Sequence, residues 1–147
     1  MNLTKATAVT GIRRNKAGEV TAFNINRKNW GRGTRGGYLL QVRNVIDSVE
    51  KQVNMCCLGI YARACGVGVK RLKELTMPST IEGRVPKSLN KFLITSNWYA
   101  GKMDDSNLAG DLASYNDDTD TSDEEKEALI IAGFAQIGVK VRFVGKG

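Results

Sequence analysis

The final quarter of the chain has the least freedom. Ser122 is followed three residues later by Glu125, the spacing of an N-terminal capping box, and Asp123 and Glu124 sit where a helix dipole favours negative charge. Leu129, Ile130, Gly133 and Phe134 then recur at helical spacing, which predicts a helix running to about Gln136 with those residues inward. Immediately afterwards the period changes. Residues 137–144 alternate, apolar at 137, 139, 141 and 143 and cationic at Lys140 and Arg142. A helix feeding a half-buried strand requires partners for both, so the fold must mix the two.

The N-terminus offers a partner. Residues 7–12 and 19–25 are β-branched and alternating, joined by the polar, glycine-terminated stretch 13–18. This predicts a hairpin whose tip carries Arg13, Arg14 and Lys16. Val20, Ala22 and Asn24 are expected on one face of its second strand, and Thr21, Phe23 and Ile25 on the other. Residues 38–53 place apolar side chains at 38, 39, 42, 45, 46, 49 and 53, which reads as one face of a long helix with Asp47, Glu50 and Lys51 outward. Pro78 and Pro86 bracket a connector with room for a short edge strand, and 92–95 reads as a buried strand ahead of Trp98 and Tyr99. Leu108 and Leu112 share the face of a further helix. At 147 residues the chain is expected to form a single α+β domain spanning residues 1–147, with an N-terminal β-hairpin, central helices and a C-terminal helix-strand unit.

Charge divides the chain unevenly. Residues 1–91 hold 17 Lys/Arg against 5 Asp/Glu, whereas residues 92–147 hold 5 against 10, for a total of +7. The basic segment, residues 1–91, suits a polyanion, and the acidic segment, residues 92–147, faces elsewhere or neutralises it. Within the basic segment, residues 27–38 collect Arg27, Lys28, Arg32 and Arg35 with four glycines, Trp30 and Tyr38, and no acid. Cations neutralise phosphates, glycine permits close backbone approach, and an aromatic face can stack on a base. Gly31, Gly33 and Gly36 also satisfy a dinucleotide-binding pattern, but it lacks the parallel strand and the later acid that such a site requires.

Residues 54–75 add a second basic element. Ala62, Gly66 and Leu72 have the small-residue, turn-glycine and apolar-anchor spacing that resembles a helix-turn-helix. The resemblance covers about 20 residues and implies that Lys70, Arg71 and Lys73 lie on or near the exposed face of a second helix, suited to phosphates or guanine edges. Gly68 stands where a capping Ser or Thr belongs, Gly59 weakens the first helix, and 55–61 can alternatively be read as a buried strand.

Other chemistries find less support. Asn116, Asp118, Asp120 and Glu127 match positions of a calcium loop, yet Thr121 replaces its glycine and Asp123 its apolar residue. Cys56, Cys57 and Cys65 lie in an apolar stretch with no histidine anywhere to complete a zinc site, so buried, reduced thiols of an intracellular protein are expected. Without histidine there is no Ser/His or Cys/His pair, and the acids cluster in one tract, so no enzyme, metal or cofactor is expected. No apolar stretch is long enough for a membrane span.

The expected function is non-enzymatic binding of DNA or RNA through Arg13, Arg14, Arg27, Lys28, Trp30, Arg32 and Arg35, with Lys70, Arg71 and Lys73 as further contacts. The alternative is a structural subunit of a virion or other self-assembling complex, in which the basic face of one copy meets the acidic segment of the next.

Overall fold

A computed structural model describes residues 9–44, 51–76, 81–84, 86, 88–89 and 108–146. The hairpin forms, but Arg13 and Arg14, expected at its tip, lie in its first strand opposite Ala22 and Val20, and only Lys16 is in the turn. β1 (Val9–Arg14) pairs antiparallel with β2 (Val20–Asn26), with two register shifts along β1. Asn15 shapes the turn, its Oδ1 accepting from the amides of Ala17 and Glu19 at 3.0 and 2.9 Å. Phe23 and Ile25 are fully buried on one face of β2, but Val20 is buried as well, because the register shift beside it re-aims the strand's start.

The C-terminal unit supplies the third strand. β5 (Lys140–Val144) runs parallel to β2, pairing Ala22 with Lys140 and Asn24 with Arg142, so the sheet order is β1-β2-β5. A parallel neighbour needs a crossover, and most of the chain lies between the two strands. One face of this sheet is covered by helix α1 (Cys57–Ala64) and helix α4 (Asp123–Ala135). There Phe23, Tyr61 and Phe134 meet with ring centroids 5.2–5.7 Å apart, Phe23 and Phe134 edge to face. Helix α4 starts on the expected cap, Ser122 Oγ accepting from the Glu125 amide at 3.2 Å. Its inward residues are Lys126, Ile130, Gly133 and Phe134. Leu129 was expected inward and is instead 40 % exposed.

The reading of residues 38–53 as a helix is overturned. β3 (Gln41–Asn44) and β4 (Lys51–Asn54) form a separate antiparallel pair, with Val42 opposite Val53. Val42 and Val53, members of the expected helical face, also alternate with Leu40 and Met55 at strand spacing, and as β-branched residues they favour the strand. Of the remaining members of the expected helical face, Tyr38 and Leu39 precede β3 outside any helix, and Val45, Ile46 and Val49 lie outside the described residues.

α1 resolves the ambiguity of 55–61: Met55 makes an isolated bridge to Trp30, and the helix begins at Cys57. Gly59 is present because α1 lies directly on the backbone of Leu39. A Cβ there would stand 2.5 Å from the Leu39 carbonyl carbon and closer still to its oxygen. After Gly66 (φ 105°), the second helix, α2 (Val69–Leu72), is a single turn, anchored by buried Leu72 and capped by Gly68 backbone alone. The helix-turn-helix spacing thus corresponds to a real helix, turn and anchor, but α2 is too short to lie along a groove as a recognition helix does. The remaining helix, α3 (Leu108–Asp117), packs on α4 and α1. Of the edge strand expected between the prolines, residues 81–84 are described and are not strand, with Gly83 at φ 85°; the strand expected at 92–95, Trp98 and Tyr99 lie outside the described residues.

Candidate nucleic-acid interface

The arginine- and glycine-rich stretch is neither α-helix nor strand. It makes two 3₁₀ turns, Arg27–Asn29 and Gly33–Arg35, and is bonded to the start of α1: Met55 N–H donates to Asn29 O, Gly31 N–H to Met55 O, and Cys56 N–H to Tyr38 O, at 2.8–3.0 Å. No α-helix opens directly after Gly36, so the dinucleotide pattern has no helix N-terminus to hold a pyrophosphate.

The two oppositely charged segments of the chain meet here. Arg27 makes a two-pronged pair with Glu127, Nε to Oε2 at 2.9 Å and Nη2 to Oε1 at 2.7 Å, and donates a third bond to the Gly145 carbonyl at 2.9 Å. That pairing raises the already high pKa of Arg27. Arg32 bonds Asp123 Oδ2 from Nε and Nη2 at 3.0 Å, and through Nη1 it binds the carbonyls of Arg27 and Trp30. Its guanidinium carbon lies 4.6 Å from the Trp30 ring centre, a cation–π contact. Both arginines are therefore committed to the start of α4, which carries Asp123 and Glu127 on its first turns.

Trp30 is corrected outright. Expected as a base-stacking face, it is 2 % exposed, packed on Phe143 at 4.6 Å. Its indole Nε1 donates to Asn116 Oδ1 at 2.7 Å. Asn116 is fully buried at the end of α3, and its structural role is what sequence reasoning missed. Its Oδ1 also accepts from the Cys57 amide at 3.1 Å, supplying the cap that Cys56 lacks, and its Nδ2 donates to the Gly31 carbonyl at 2.8 Å. The calcium-loop spacing makes Asn116 a ligand, but its oxygen already has two donors. Next to it, Asp117 Oδ1 accepts from the Gly37 amide at 2.9 Å, and a Cβ on Gly36 would collide with that carboxylate. At this point the glycine lets the loop close onto α3.

The other expected contacts separate. Arg14 donates to the Ala64 carbonyl at 2.7 Å, at the C-terminal end of α1 where a cation is favoured. Arg71 bonds the carbonyls of Glu82 and Arg84 at 2.8 and 2.7 Å, while Lys70 and Lys73 are exposed. These four are not among the residues that line the cleft beside the loop. Lys28 and Arg35 remain exposed on the loop, without a carboxylate partner among the described residues. They share with Arg27, Trp30, Arg32, Thr34, Asn54 and Asp123 a cleft of about 300 Å³.

Arg13 belongs to a second depression. It lies opposite Ala22, which pairs in turn with Lys140, while Asn24 pairs with Arg142. The outer face of the three-stranded sheet thus carries Arg13, Lys140 and Arg142 around a hollow of about 220 Å³ completed by Gly11, Ala22 and Asn24, with no carboxylate in its lining. The basic outer face expected of the final strand does adjoin the hairpin.

The three cysteines are free and buried. Burial pushes the thiols of Cys56 and Cys65 up to about 12 and about 11, and Cys57 well above its ordinary value. Among the described residues no group of three or more potential ligands is placed to hold a metal ion, and no helix is long and apolar enough to cross a membrane. The chain matches no protein-family model, and no curated protein or solved structure is detectably similar to it.

Proposed function

We propose that this protein is a non-enzymatic nucleic-acid-binding module whose main phosphate-contacting surface is the outer face of the three-stranded sheet. The observation that carries the reading is the carboxylate-free setting of Arg13, Lys140 and Arg142 across three neighbouring strands. Lys140 and Arg142 lie two residues apart on one strand face, about 7 Å along the strand. Exposed cations fixed on a sheet neutralise successive phosphates without being reordered first, and counterion release then drives binding. Lys28 and Arg35 on the loop, with Lys70 and Lys73, extend the contacts. The reading shifts weight away from Arg27, Arg32 and Trp30, which the fold itself employs. Free buried thiols suit the intracellular setting that belongs to the proposal.

The test is fluorescence anisotropy with a labelled single strand and a labelled duplex over a range of salt concentrations. Affinity is expected to fall steeply as salt rises. The triple variant R13A/K140A/R142A is expected to reduce the slope of log affinity against log salt by about 3. Binding that is absent, or unchanged in the variant, overturns the proposal. A large discrete oligomer with no nucleic-acid shift in light scattering supports the alternative, a self-assembling structural subunit.

A further inference from the structure

We infer that the cleft between the arginine-rich loop and α4 is a binding site for one phosphomonoester dianion, distinct from the sheet face. Three observations combine. The first is charge. Four cations line the cleft, Arg27, Lys28, Arg32 and Arg35, against the single carboxylate of Asp123. Arg32 is matched by Asp123 and Arg27 by Glu127, so two cations, Lys28 and Arg35, have no carboxylate partner among the described residues. A phosphomonoester near neutral pH carries close to two negative charges, the complement of that surplus, whereas a backbone phosphodiester carries one.

The second is an unmet donor. Asn54, 3 % exposed at the end of β4, forms part of the cleft wall, and its Nδ2 is buried without a hydrogen-bond partner. Buried amide nitrogens are nearly always satisfied, and a phosphate oxygen is a strong acceptor. The third is rigidity. Arg27 and Arg32 are held by carboxylates and main-chain carbonyls, so the walls need little ordering when a ligand enters. At about 300 Å³ the cleft accommodates one phosphorylated group with its attached sugar but not a duplex. Thr34 adds a hydroxyl to the lining.

Such a dianion has two sources: the terminal phosphate of a nucleic-acid strand, or free phosphate and mononucleotides. The strand-end source rests on the proposed nucleic-acid reading; the free source does not.

The experiment uses ¹⁵N-labelled full-length protein. Inorganic phosphate is titrated to roughly 10 mM, past the millimolar range of weak sites, while the Asn54 side-chain amide resonances are followed. In parallel, anisotropy compares oligonucleotides of one sequence bearing a 5′-phosphate or a 5′-hydroxyl. A saturable shift of the Asn54 amide, weakened about tenfold or more in K28A/R35A, supports the site; both residues are exposed, so that variant keeps the fold. A preference for the 5′-phosphate that the variant abolishes assigns the strand end as the source. Equal oligonucleotide affinities with a responsive Asn54 assign the free source. If Asn54 does not respond and no 5′-phosphate preference exists, the inference is overturned, even where both oligonucleotides bind through the sheet. If neither oligonucleotide binds but Asn54 responds, the nucleic-acid proposal fails and the site stands.

Discussion

Replacing Asn116 with alanine removes one side chain and leaves three buried groups stranded in three different regions of the molecule. The Trp30 indole N–H, the Cys57 amide at the start of α1 and the Gly31 carbonyl all bond to this amide. Asn116 is 0 % exposed and Trp30 2 %, so water cannot easily take its place. A buried polar group left unmatched costs about 1–3 kcal/mol, which puts N116A near ~4 kcal/mol of lost stability, a large share of what an ordinary domain possesses. The companion variant W30F removes only the indole donor and some buried surface, for about 1–2 kcal/mol. Urea unfolding followed by circular dichroism gives both values and, with the double variant, their coupling. In the N116A background the indole N–H has already lost its acceptor, so W30F is expected to cost about 1 kcal/mol less than in the parent. Additivity within about 0.3 kcal/mol, or an N116A loss below about 1 kcal/mol, would refute the account of Asn116 as the tie between loop, α1 and α3.

Gly59→Ala gains about 1 kcal/mol of helix propensity but drives a methyl into the Leu39 backbone, so a net loss of about 2 kcal/mol is expected in thermal unfolding. Gly133→Ala is the contrast: its Cβ meets the flexible end of Leu112 at 2.6 Å, and a smaller change is expected. Glu127→Gln releases Arg27 from its two-pronged pair, and under the proposed function the salt dependence of nucleic-acid binding should steepen by about 1 in slope. The thiols supply a pH test. Their folded pKa values lie above the ordinary 9.0, so the unfolded chain releases protons first. Stability is then unaffected below pH 9 and falls as pH rises from 9 towards about 11 and 12. Unfolding midpoints measured at pH 8, 9 and 10 should show the decline beginning only at the upper end, and native thiols should resist alkylation at pH 8.

What the sequence disclosed and what it concealed follows the range of the interactions. The Ser122 cap and the alternation ending in Val144 are local; the cap appears where the spacing put it, and the strand forms over Lys140–Val144, with 137–139 taken up by the turn after α4. The segment 38–53 misled because Val42 and Val53 satisfy both periods, and the choice is made by the pairing of β3 with β4. For Leu129, helical spacing placed it within the apolar stripe, but its exposure depends on which side of α4 the sheet and α3 cover. The cations of 27–35 were visible as a cluster, while their partners lie 91 and 100 residues away, beyond any local pattern. Trp30 and Asn116, 86 residues apart, likewise gave no local sign of one another. The cation row on the sheet was partly readable, since the outward lysine and arginine of the last strand were apparent, but their alignment with Arg13 depends on the parallel register with β2.

That register also sets a timetable for synthesis. Ala22 finds its parallel neighbour in Lys140, so the strand at the middle of the sheet has one open edge until more than a hundred further residues have been translated. At ordinary ribosomal speeds this interval is on the order of ten seconds. Throughout it, the buried face of Phe23 and Ile25 and the unpaired side of β2 are available to other nascent chains. Slow, long-range closure of this kind makes the yield of folded protein sensitive to temperature and to holding chaperones during expression. A ribosome stalled before Lys140 would display a hairpin whose companion strand does not yet exist.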